Sequence, residues 1–157
     1  MAASLAYQSE VLGNRLKKRD RQLRKWAQRR GISCYRVYDR DIPDLPLVVD
    51  RYDRYVHIND YREPWDSSPA ALHAFDQMVS ETVAHALNVL PGRIHSKRRR
   101  RTSGDDQYQR HGSDSVEAVV GEGALQFLVN LSDYIDTGLF LDHRLTRRMV
   151  MQHASDR

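Results

Sequence analysis

The sequence predicts an α+β fold, with a basic N-terminal helix, a mostly antiparallel sheet of about five or six strands, and one amphipathic helix packed on that sheet. Apolar residues recur every three or four positions in two separate segments, which indicates two helices. Alternating polar and apolar residues between and after these segments indicate strands. The order is strand, strand, helix, strand, strand, and a chain of 157 residues is about one domain's length.

The first predicted helix combines an apolar stripe with a dense positive charge. Leu12, Leu16, Leu23 and Ala27 lie on one face, and Gly31 is placed to end the helix. A loose leader is expected before Leu12. The other faces are basic: Arg15, Lys17, Lys18, Arg19, Arg21, Arg24, Lys25, Arg29 and Arg30. These cations form either a solvated helix face or a surface that follows the phosphates of a nucleic acid.

Strands are predicted for residues 34–39, 47–52 and 55–61, the last two as a hairpin around Asp53 and Arg54. Polar and apolar residues alternate in the hairpin, so that one face of it is half-polar. The tyrosines of these strands act either as stacking platforms for bases or as packing residues. The preference of aromatic side chains for sheets favours packing.

The second predicted helix has the most regular apolar spacing in the chain. Ser68 suits its N-cap, Pro69 suits its first position, and Pro91 ends it. The apolar stripe consists of Leu72, Phe75, Val79, Val83, Ala86 and Leu90. His73 and His85 lie off this stripe at a spacing that does not suit a metal pair. Both are therefore expected at the surface, and no metal site is predicted.

A run of cations follows the second helix. Lys97 and four consecutive arginines, residues 98–101, lead into a loop predicted for residues 102–114. Four adjacent arginines cannot all enter a core unpaired, because each buried charge costs several kcal/mol. The run is therefore expected in solvent or on a polyanion, since guanidinium groups suit phosphate oxygens and exposed bases. A solvated basic loop is the alternative.

A second hairpin is predicted between residues 115 and 131, and a short apolar run at residues 137–141 is predicted to be a further strand. That run ends in Asp142, His143 and Arg144, after which another helix is expected. Ionisable groups at the end of a rigid strand are a common position for a binding site. The alternative is a strand that simply meets solvent.

The bulk composition limits the class of protein. The net charge of +4 and the isoelectric point near 9.4 suggest a polyanionic partner. A single cysteine, Cys34, excludes an intramolecular disulfide and fits a reducing compartment. No signal peptide is recognised, and no apolar run approaches the roughly 20 residues of a membrane helix. A cytoplasmic protein without a membrane partner is expected.

The segment that ends at Arg144 reads Asp-Tyr-Ile-Asp-Thr-Gly-Leu-Phe-Leu-Asp-His-Arg, and it resembles the linker strand of the bacterial 23S ribosomal RNA large-subunit methyltransferase K/L family. Shorter motifs of the family's type occur along most of the chain: Asn14-Arg-Leu, Lys25-Trp-Ala, Cys34-Tyr-Arg-Val-Tyr-Asp39, Val49-Asp-Arg-Tyr52 and Gln107-Tyr-Gln109. In that family the linker strand leads into a Rossmann-like domain that binds S-adenosylmethionine.

The resemblance implies an intact enzyme that methylates guanine at N7 in 23S rRNA with S-adenosylmethionine. The sequence has no glycine-rich strand–turn–helix and no two adjacent prolines, so neither a cofactor turn nor an Asn/Asp-Pro-Pro loop is present. We therefore expect no bound cofactor and no catalytic residue in this chain alone. A truncated protein, a split protein that docks a separately encoded catalytic subunit, and a remnant without function all remain open, and so does enzymatic activity.

Three regions are predicted: a leader and basic helix (1–31), an α+β RNA-contacting domain (32–136), and a linker strand with the start of a cofactor domain (137–157). The predicted RNA-binding residues are Lys17, Lys18, Arg21, Lys97, Arg98, Arg99, Arg100, Arg101, Gln107 and Tyr108. The resemblance further implies that Phe140, Asp142, His143 and Arg144 line the edge of the cofactor and substrate pocket. The expected partners are ribosomal RNA and a Rossmann-like methyltransferase domain.

Overall fold

The computed structural model describes residues 4–63, 68–99 and 115–155. Its helices and strands are α1 (Leu5–Arg29), β1 (Cys34–Asp39), β2 (Leu47–Tyr52), β3 (Tyr55–Asp60), α2 (Pro69–Leu87), β4 (Ile94–Arg98), β5 (Glu117–Glu122), β6 (Leu125–Asn130) and α3 (Arg144–Ser155). Short 3-10 turns precede β4 and α3. None of the helices in the described ranges has the length and apolar character needed to cross a membrane.

The α+β class is confirmed, although the strands form two sheets. One sheet has the order β1-β2-β3-β4, and β5 pairs with β6 in a separate two-stranded sheet. The strands β1, β2 and β3 are antiparallel, whereas β4 runs parallel to β3 because α2 crosses over between them. The six strands and their mostly antiparallel pairing agree with the prediction, but the strands are divided between a mixed four-stranded sheet and a two-stranded hairpin.

The first helix begins earlier than the apolar stripe indicated. The Ser4 side chain accepts a hydrogen bond from the Tyr7 backbone N–H at 3.3 Å, and the helix starts at Leu5. The expectation of a loose leader is thus wrong for the residues just before Leu12. At the other end, Gly31 has a φ of +63° and its carbonyl accepts from Gly123 N at 3.1 Å, so that the turn after α1 joins the β5–β6 hairpin.

The second helix starts as predicted. The Ser68 side chain accepts from Ala71 N at 3.2 Å, and Pro69 occupies the first turn. It ends earlier than expected, because Asn88 adopts a left-handed conformation with a φ of +52°. Leu90, the last residue of the predicted stripe, is consequently outside the helix and 63% exposed.

Both helices cover the same face of the four-stranded sheet. Leu12 and Leu16 of α1, Val83 of α2, and Ile58 of β3 are all at most 1% exposed in this main core. A second apolar cluster joins the sheet to the hairpin through Cys34, Tyr52, Val120, Val129, Leu131 and Leu141. The two clusters together leave most of the opposite face of the sheet to polar residues.

Most tyrosines of the strands pack in the interior, which is the alternative that the sequence analysis favoured. Tyr35, Tyr38 and Tyr52 are at most 5% exposed. Tyr38 donates from its hydroxyl to the Leu45 carbonyl at 2.9 Å, which satisfies the buried polar atom. Tyr61, which follows the last residue of β3, is 40% exposed.

The strand predicted for residues 137–141 is wrong. Residues 131–140 form bends and irregular backbone, although Asn130 N donates to the Thr137 carbonyl at 3.1 Å. The Thr137 hydroxyl lies 2.9 Å from the hydroxyl of Tyr52, so side-chain contacts rather than strand pairing hold this segment on the sheet. The helix expected after it is confirmed as α3.

Truncating Leu16 to alanine tests whether α1 is an integral part of the core. Leu16→Ala is expected to lower the free energy of unfolding by roughly 2–5 kcal/mol, because the buried cavity cannot fully collapse. Leu90→Ala, at an exposed position, is the matched control and is expected to change it by less than about 0.5 kcal/mol. Urea denaturation followed by circular dichroism measures both, and equal effects would show that α1 is not buried on the sheet.

Candidate functional site

A row of polar side chains crosses the sheet on the face opposite the helices. Arg36 of β1 pairs in register with Asp50 of β2, Asp50 pairs with His57 of β3, and His57 pairs with His95 of β4. Directly opposed residues of neighbouring strands share a face. Asp50 and His57 are only 3% and 1% exposed, so charged and polar groups lie at the centre of a buried surface.

Arg36 and Asp50 form a two-pronged ion pair. Arg36 Nε donates to Asp50 Oδ1 at 2.8 Å, and Arg36 Nη2 donates to Oδ2 at 3.2 Å. Burial raises the pKa of Asp50, and the hydrogen bonds from Arg36 oppose that shift. The same hydrogen bonds raise the pKa of Arg36, and the fork geometry is that of an ionised pair. Each carboxylate oxygen retains a further lone pair for another donor.

His57 is held neutral, and its tautomer follows from its neighbours. Arg99 Nε, which can only donate, lies 2.9 Å from Asn59 Oδ1 and so fixes the orientation of that amide. The Asn59 Nδ2 group then points at His57 Nδ1, 3.4 Å away, and Nδ1 acts as the acceptor. The ring proton therefore lies on Nε2, which has no hydrogen-bond partner in the described chain. Burial, together with the charges of Arg99 and Lys97, lowers the pKa of His57 to about 3.

The segment of residues 131–142, which is irregular up to the 3-10 turn that begins at Leu141, covers this polar row. Arg99 Nη2 bonds Asp136 Oδ1 at 2.6 Å, and Lys97 Nζ donates to the Ser132 carbonyl. Burial lowers the pKa of Lys97. Because the cover is a loop rather than a paired strand, it leaves a cleft of about 260 Å³ above the sheet. We refer to this space, whose floor is Arg36, Asp50, His57 and Asn59, as the polar cleft.

The four residues predicted for the edge of a pocket separate into two pairs. Phe140 and Asp142 line the polar cleft, and their exposure of 61% for Phe140 and 70% for the Asp142 side chain places both at its rim. The His143 side chain is 64% exposed, with its ring 5.8 Å from that of Phe140. Arg144 turns away from the cleft, donates to the Cys34 carbonyl and lies 3.4 Å from the buried carboxylate of Glu122. Arg144 therefore anchors α3 to the hairpin.

The start of the basic run differs from the expectation of solvent or a polyanion. Arg98 Nη2 lies 2.8 Å from the carboxylate of Asp76 on α2, and Arg99 is paired with Asp136. Their side chains are only 29% and 20% exposed. Alternation along β4 sends these two guanidinium groups to opposite faces, where distant carboxylates neutralise them. They join β4 to its neighbours instead of offering free charge.

Lys17, Lys18 and Arg21 are all exposed, in agreement with a cationic face on α1. None of them has an ion-pair partner among the residues that the structure describes. Asp20, the acidic residue within this stretch, is 5% exposed and points inward, where it accepts from Arg24 at 2.6 Å and from the Tyr35 hydroxyl at 3.1 Å. The outer surface of α1 between Lys17 and Arg21 is therefore positive without an exposed carboxylate.

The remaining predicted RNA-binding residues, Arg100, Arg101, Gln107 and Tyr108, lie outside the described residues. His73 and His85 are both exposed, as expected. Within the described ranges, no group of three or more His, Cys, Asp or Glu side chains is arranged to hold a metal ion.

Sequence reasoning did not single out the residues that form the floor of the polar cleft. The period-two alternation of β2 had indicated a half-polar face that includes Asp50. His57 and Asn59 follow the same alternation on β3, so the signal was present in the sequence. What the sequence did not supply was the register that places His57 beside Asp50.

The chain is similar to curated proteins named "Ribosomal RNA large subunit methyltransferase K/L". It is 44% identical over 155 residues to the protein of that name from Pseudomonas fluorescens, and 43% identical to that from Pseudomonas paraeruginosa. The alignments cover 98% of this chain but only 20% and 21% of those proteins. The chain thus spans about a fifth of the length of the curated relatives it matches. No family model matches the chain.

Two solved structures share the fold. One is SMU.776, a candidate methyltransferase complexed with SAH, with a TM-score of 0.54 and 19% identity over 94% of this chain and 35% of that one. The other is a candidate S-adenosylmethionine-dependent methyltransferase from Streptococcus mutans, with a TM-score of 0.56 and 16% identity over 95% of this chain and 36% of that one. At these identities the likeness concerns the fold alone.

The buried neutral His57 predicts a specific dependence of stability on pH. Its pKa in the folded chain is about 3, against an ordinary value of 6.5, so the unfolded chain binds more protons between those two values. Stability should therefore fall as the pH decreases through 6.5, with His57 contributing a loss of about 2 kcal/mol between pH 7 and pH 5. Urea denaturation at the two pH values measures this difference.

His57→Gln is expected to abolish the loss of about 2 kcal/mol in the free energy of unfolding that His57 contributes between pH 7 and pH 5. This holds whatever the effect of the substitution on stability at pH 7. His85→Gln, at an exposed position, is the matched control and should leave the dependence as it is in the unaltered chain. An unchanged difference between pH 7 and pH 5 in the His57→Gln variant would contradict the neutral, buried state of this ring.

Proposed function

We propose that this chain, which matches a segment of the ribosomal RNA large subunit methyltransferase K/L family, is the rRNA-binding portion of an S-adenosylmethionine-dependent enzyme. The intact enzyme would methylate guanine at N7 in 23S rRNA in the cytoplasm, and this chain would not transfer a methyl group alone. The names of the relatives support the rRNA substrate. This chain spans only 20% and 21% of the length of two such relatives, so the remainder of those proteins is long enough to include a separate domain that carries the methyl donor.

The exposed cationic face of α1 is the observation that carries the RNA-binding proposal. Lys17, Lys18 and Arg21 are exposed and have no ion-pair partner in the described chain, whereas Arg98 and Arg99 are paired with carboxylates. Phosphate contacts of this kind supply affinity without sequence specificity. Arg100, Arg101, Gln107 and Tyr108, which the structure does not describe, are proposed to extend this contact, with the arginines on phosphates and the tyrosine ring on a base.

The rim of the polar cleft is the part of this chain proposed to border the reacting centre. S-adenosylmethionine, when bound by the rest of the protein, supplies the methyl group. Phe140 offers an exposed aromatic ring and Asp142 an exposed carboxylate, which suit the aromatic bases and hydrogen-bond donors of a nucleotide. The role of this chain would be to hold RNA beside that centre and to contribute one wall.

A non-enzymatic interaction subunit that docks a separately encoded catalytic domain is the second candidate. The exposed apolar side chains of α3 favour it, because Leu145, Met149 and Val150 are 71%, 59% and 63% exposed. Clustered exposed apolar residues are typical of an interaction surface. The same side chains would serve a catalytic domain in the same polypeptide, so the two candidates differ in whether one gene or two encode the parts, not in the contact.

Substitution of the α1 face tests the RNA-binding proposal. The double variant Lys18→Ala, Arg21→Ala should weaken binding to a 23S rRNA fragment and reduce the slope of log affinity against log salt by roughly 1.5, because two phosphate contacts are lost. Arg100→Ala with Arg101→Ala should act in the same direction. Fluorescence anisotropy over a range of salt concentrations measures the slope.

The control removes the same net charge from other exposed positions. Arg54→Ala with Arg148→Ala is expected to leave the salt slope nearly unchanged. If both double variants reduce the slope equally, binding follows the net charge of the protein and the α1 face is not the contact surface.

Docking through α3 is tested with the separately expressed remainder of a K/L methyltransferase. Leu145→Ser with Val150→Ser should weaken its association with this chain by at least about tenfold, because two exposed apolar side chains would no longer be buried. Leu128→Ser, at a position 64% exposed on β6, is the control and should have little effect. Calorimetry would contradict the proposal if the α3 variant bound as tightly as the unaltered chain.

A further inference from the structure

The β5–β6 hairpin carries a buried carboxylate that faces two arginines of α3. Glu122, the last residue of β5, is 8% exposed. Arg147 Nε donates to Glu122 Oε1 at 3.1 Å, and Arg147 Nη2 donates to Glu122 Oε2 at 2.7 Å. The Nε atom of Arg144 lies 3.4 Å from the same Oε2 atom. One carboxylate therefore binds two guanidinium groups of one helix, and we call Glu122, Arg144 and Arg147 the α3 anchor.

Aromatic rings and a backbone carbonyl extend the α3 anchor to other elements. The Arg144 guanidinium lies 5.3 Å from the centroid of the Trp26 ring on α1, and it donates to the carbonyl of Cys34 on β1. The Arg147 guanidinium lies 5.3 Å from the centroid of the Phe127 ring on β6. Guanidinium groups are attracted to aromatic faces, and their planar fork holds a fixed orientation. The anchor thus joins α3 to α1, to β1 and to both strands of the hairpin.

Apart from the α3 anchor, the helix α3 buries little surface. Among residues 144–154, the two arginines of the anchor are the only residues that are not exposed. The helix has 12 residues, and isolated helices shorter than about 12–15 residues are marginal in water because most helical stability in proteins comes from tertiary packing. Its most exposed apolar side chains are those of Leu145, Met149 and Val150. The position of α3 therefore depends on the anchor rather than on an apolar core.

A purely stabilising role is the alternative for such a cluster. Buried ion pairs contribute little net stability, because desolvation of the charges offsets most of their attraction. Their best-attested effect is to select one arrangement of the elements that they join. Two parallel hydrogen bonds from one guanidinium group fix the direction of approach as well as the distance. An orienting role therefore fits the α3 anchor better than a stabilising one.

We propose that Glu122 is a positioning residue, which holds α3 in one orientation through Arg144 and Arg147 and so presents the exposed apolar side chains of this helix to the domain that docks there. The inference rests on the docking surface of the proposed function and adds the residue that orders it. A helix that is ordered before contact binds more tightly than one that must fold on binding. Because Trp26 belongs to α1, the same anchor fixes the docking surface relative to that helix.

Hydrogen–deuterium exchange of the full chain tests the α3 anchor directly. Arg147→Ala removes the two-pronged bond and should raise the exchange rate of the backbone amides of residues 148–154 by at least about tenfold, because the helix would leave the hairpin. Exchange in α1 should not change, which shows that the main core is intact. Arg148→Ala, at an exposed position of the same helix, removes the same charge and should leave this exchange nearly unchanged. Alanine favours a helix at least as well as arginine, so helix propensity does not explain a difference.

Calorimetry with the separately expressed remainder of a K/L methyltransferase tests the consequence for docking. Arg147→Ala should weaken the association by roughly tenfold, while its affinity for a 23S rRNA fragment should change no more than that of Arg148→Ala. Glu122→Gln should also weaken the association, because it removes the charge that both arginines share. Arg147→Lys should lie between Arg147→Ala and the unaltered chain, since lysine keeps the charge but does not form a two-pronged bond. A cation that touched the partner directly would retain full affinity as lysine.

The two arginine positions keep the test decisive even if Glu122→Gln fails to fold, because neither arginine belongs to an apolar core cluster. Equal association of Arg147→Ala and Arg148→Ala with the partner would overturn this inference and leave docking through α3 standing. Unchanged exchange of α3 in the Arg147→Ala variant would have the same meaning. If the unaltered chain did not associate with the partner at all, docking through α3 and this inference would both be overturned.

Discussion

One face of the sheet is apolar and the other carries polar and charged side chains. Most of the structure follows from how each face is covered. The helices α1 and α2 bury the apolar face in one close-packed core. The other face places an ion pair and a neutral histidine out of solvent, where polar groups must find partners. The segment after β6 meets part of this requirement with Asp136 and Thr137. Because this segment is irregular, it covers the polar face incompletely and leaves a cleft.

The described cations include two groups: arginines paired with carboxylates, and exposed cations on α1. Arg36, Arg99 and Arg144 are each less than about two-fifths exposed and are bound to carboxylates, so they connect elements that are distant in sequence. The cations on the outer surface of α1, such as Lys18 and Arg21, have no such partners in the described chain. Only the second group is available to a polyanion. A basic sequence composition alone therefore overstates the number of cations that are free to contact a polyanion, because several of the described arginines are paired with carboxylates.

Features that depend on a few neighbouring residues could be predicted from the sequence. The cap at Ser68 and the hairpin turn at Asp53 are of this kind, because their hydrogen bonds close over three or four positions. The partners of Arg98 and Arg99 lie 22 and 37 positions away, and pairs at such a separation cannot be recognised from local sequence. The parallel placement of β4 and the register of His57 depend on the same long-range assembly, and for that reason the floor of the cleft was not recognised.

The central proposal is that RNA lies across α1 and reaches the polar face of the sheet, and that another part of the protein holds the methyl donor. Hydrogen–deuterium exchange of the full chain, with and without a guanine-containing 23S rRNA fragment, tests this claim most directly. The account predicts slower exchange in α1, in β2 and β3, and in the segment of residues 136–142. Slower exchange confined to α3 and the β5–β6 hairpin, with none in these regions, would contradict it.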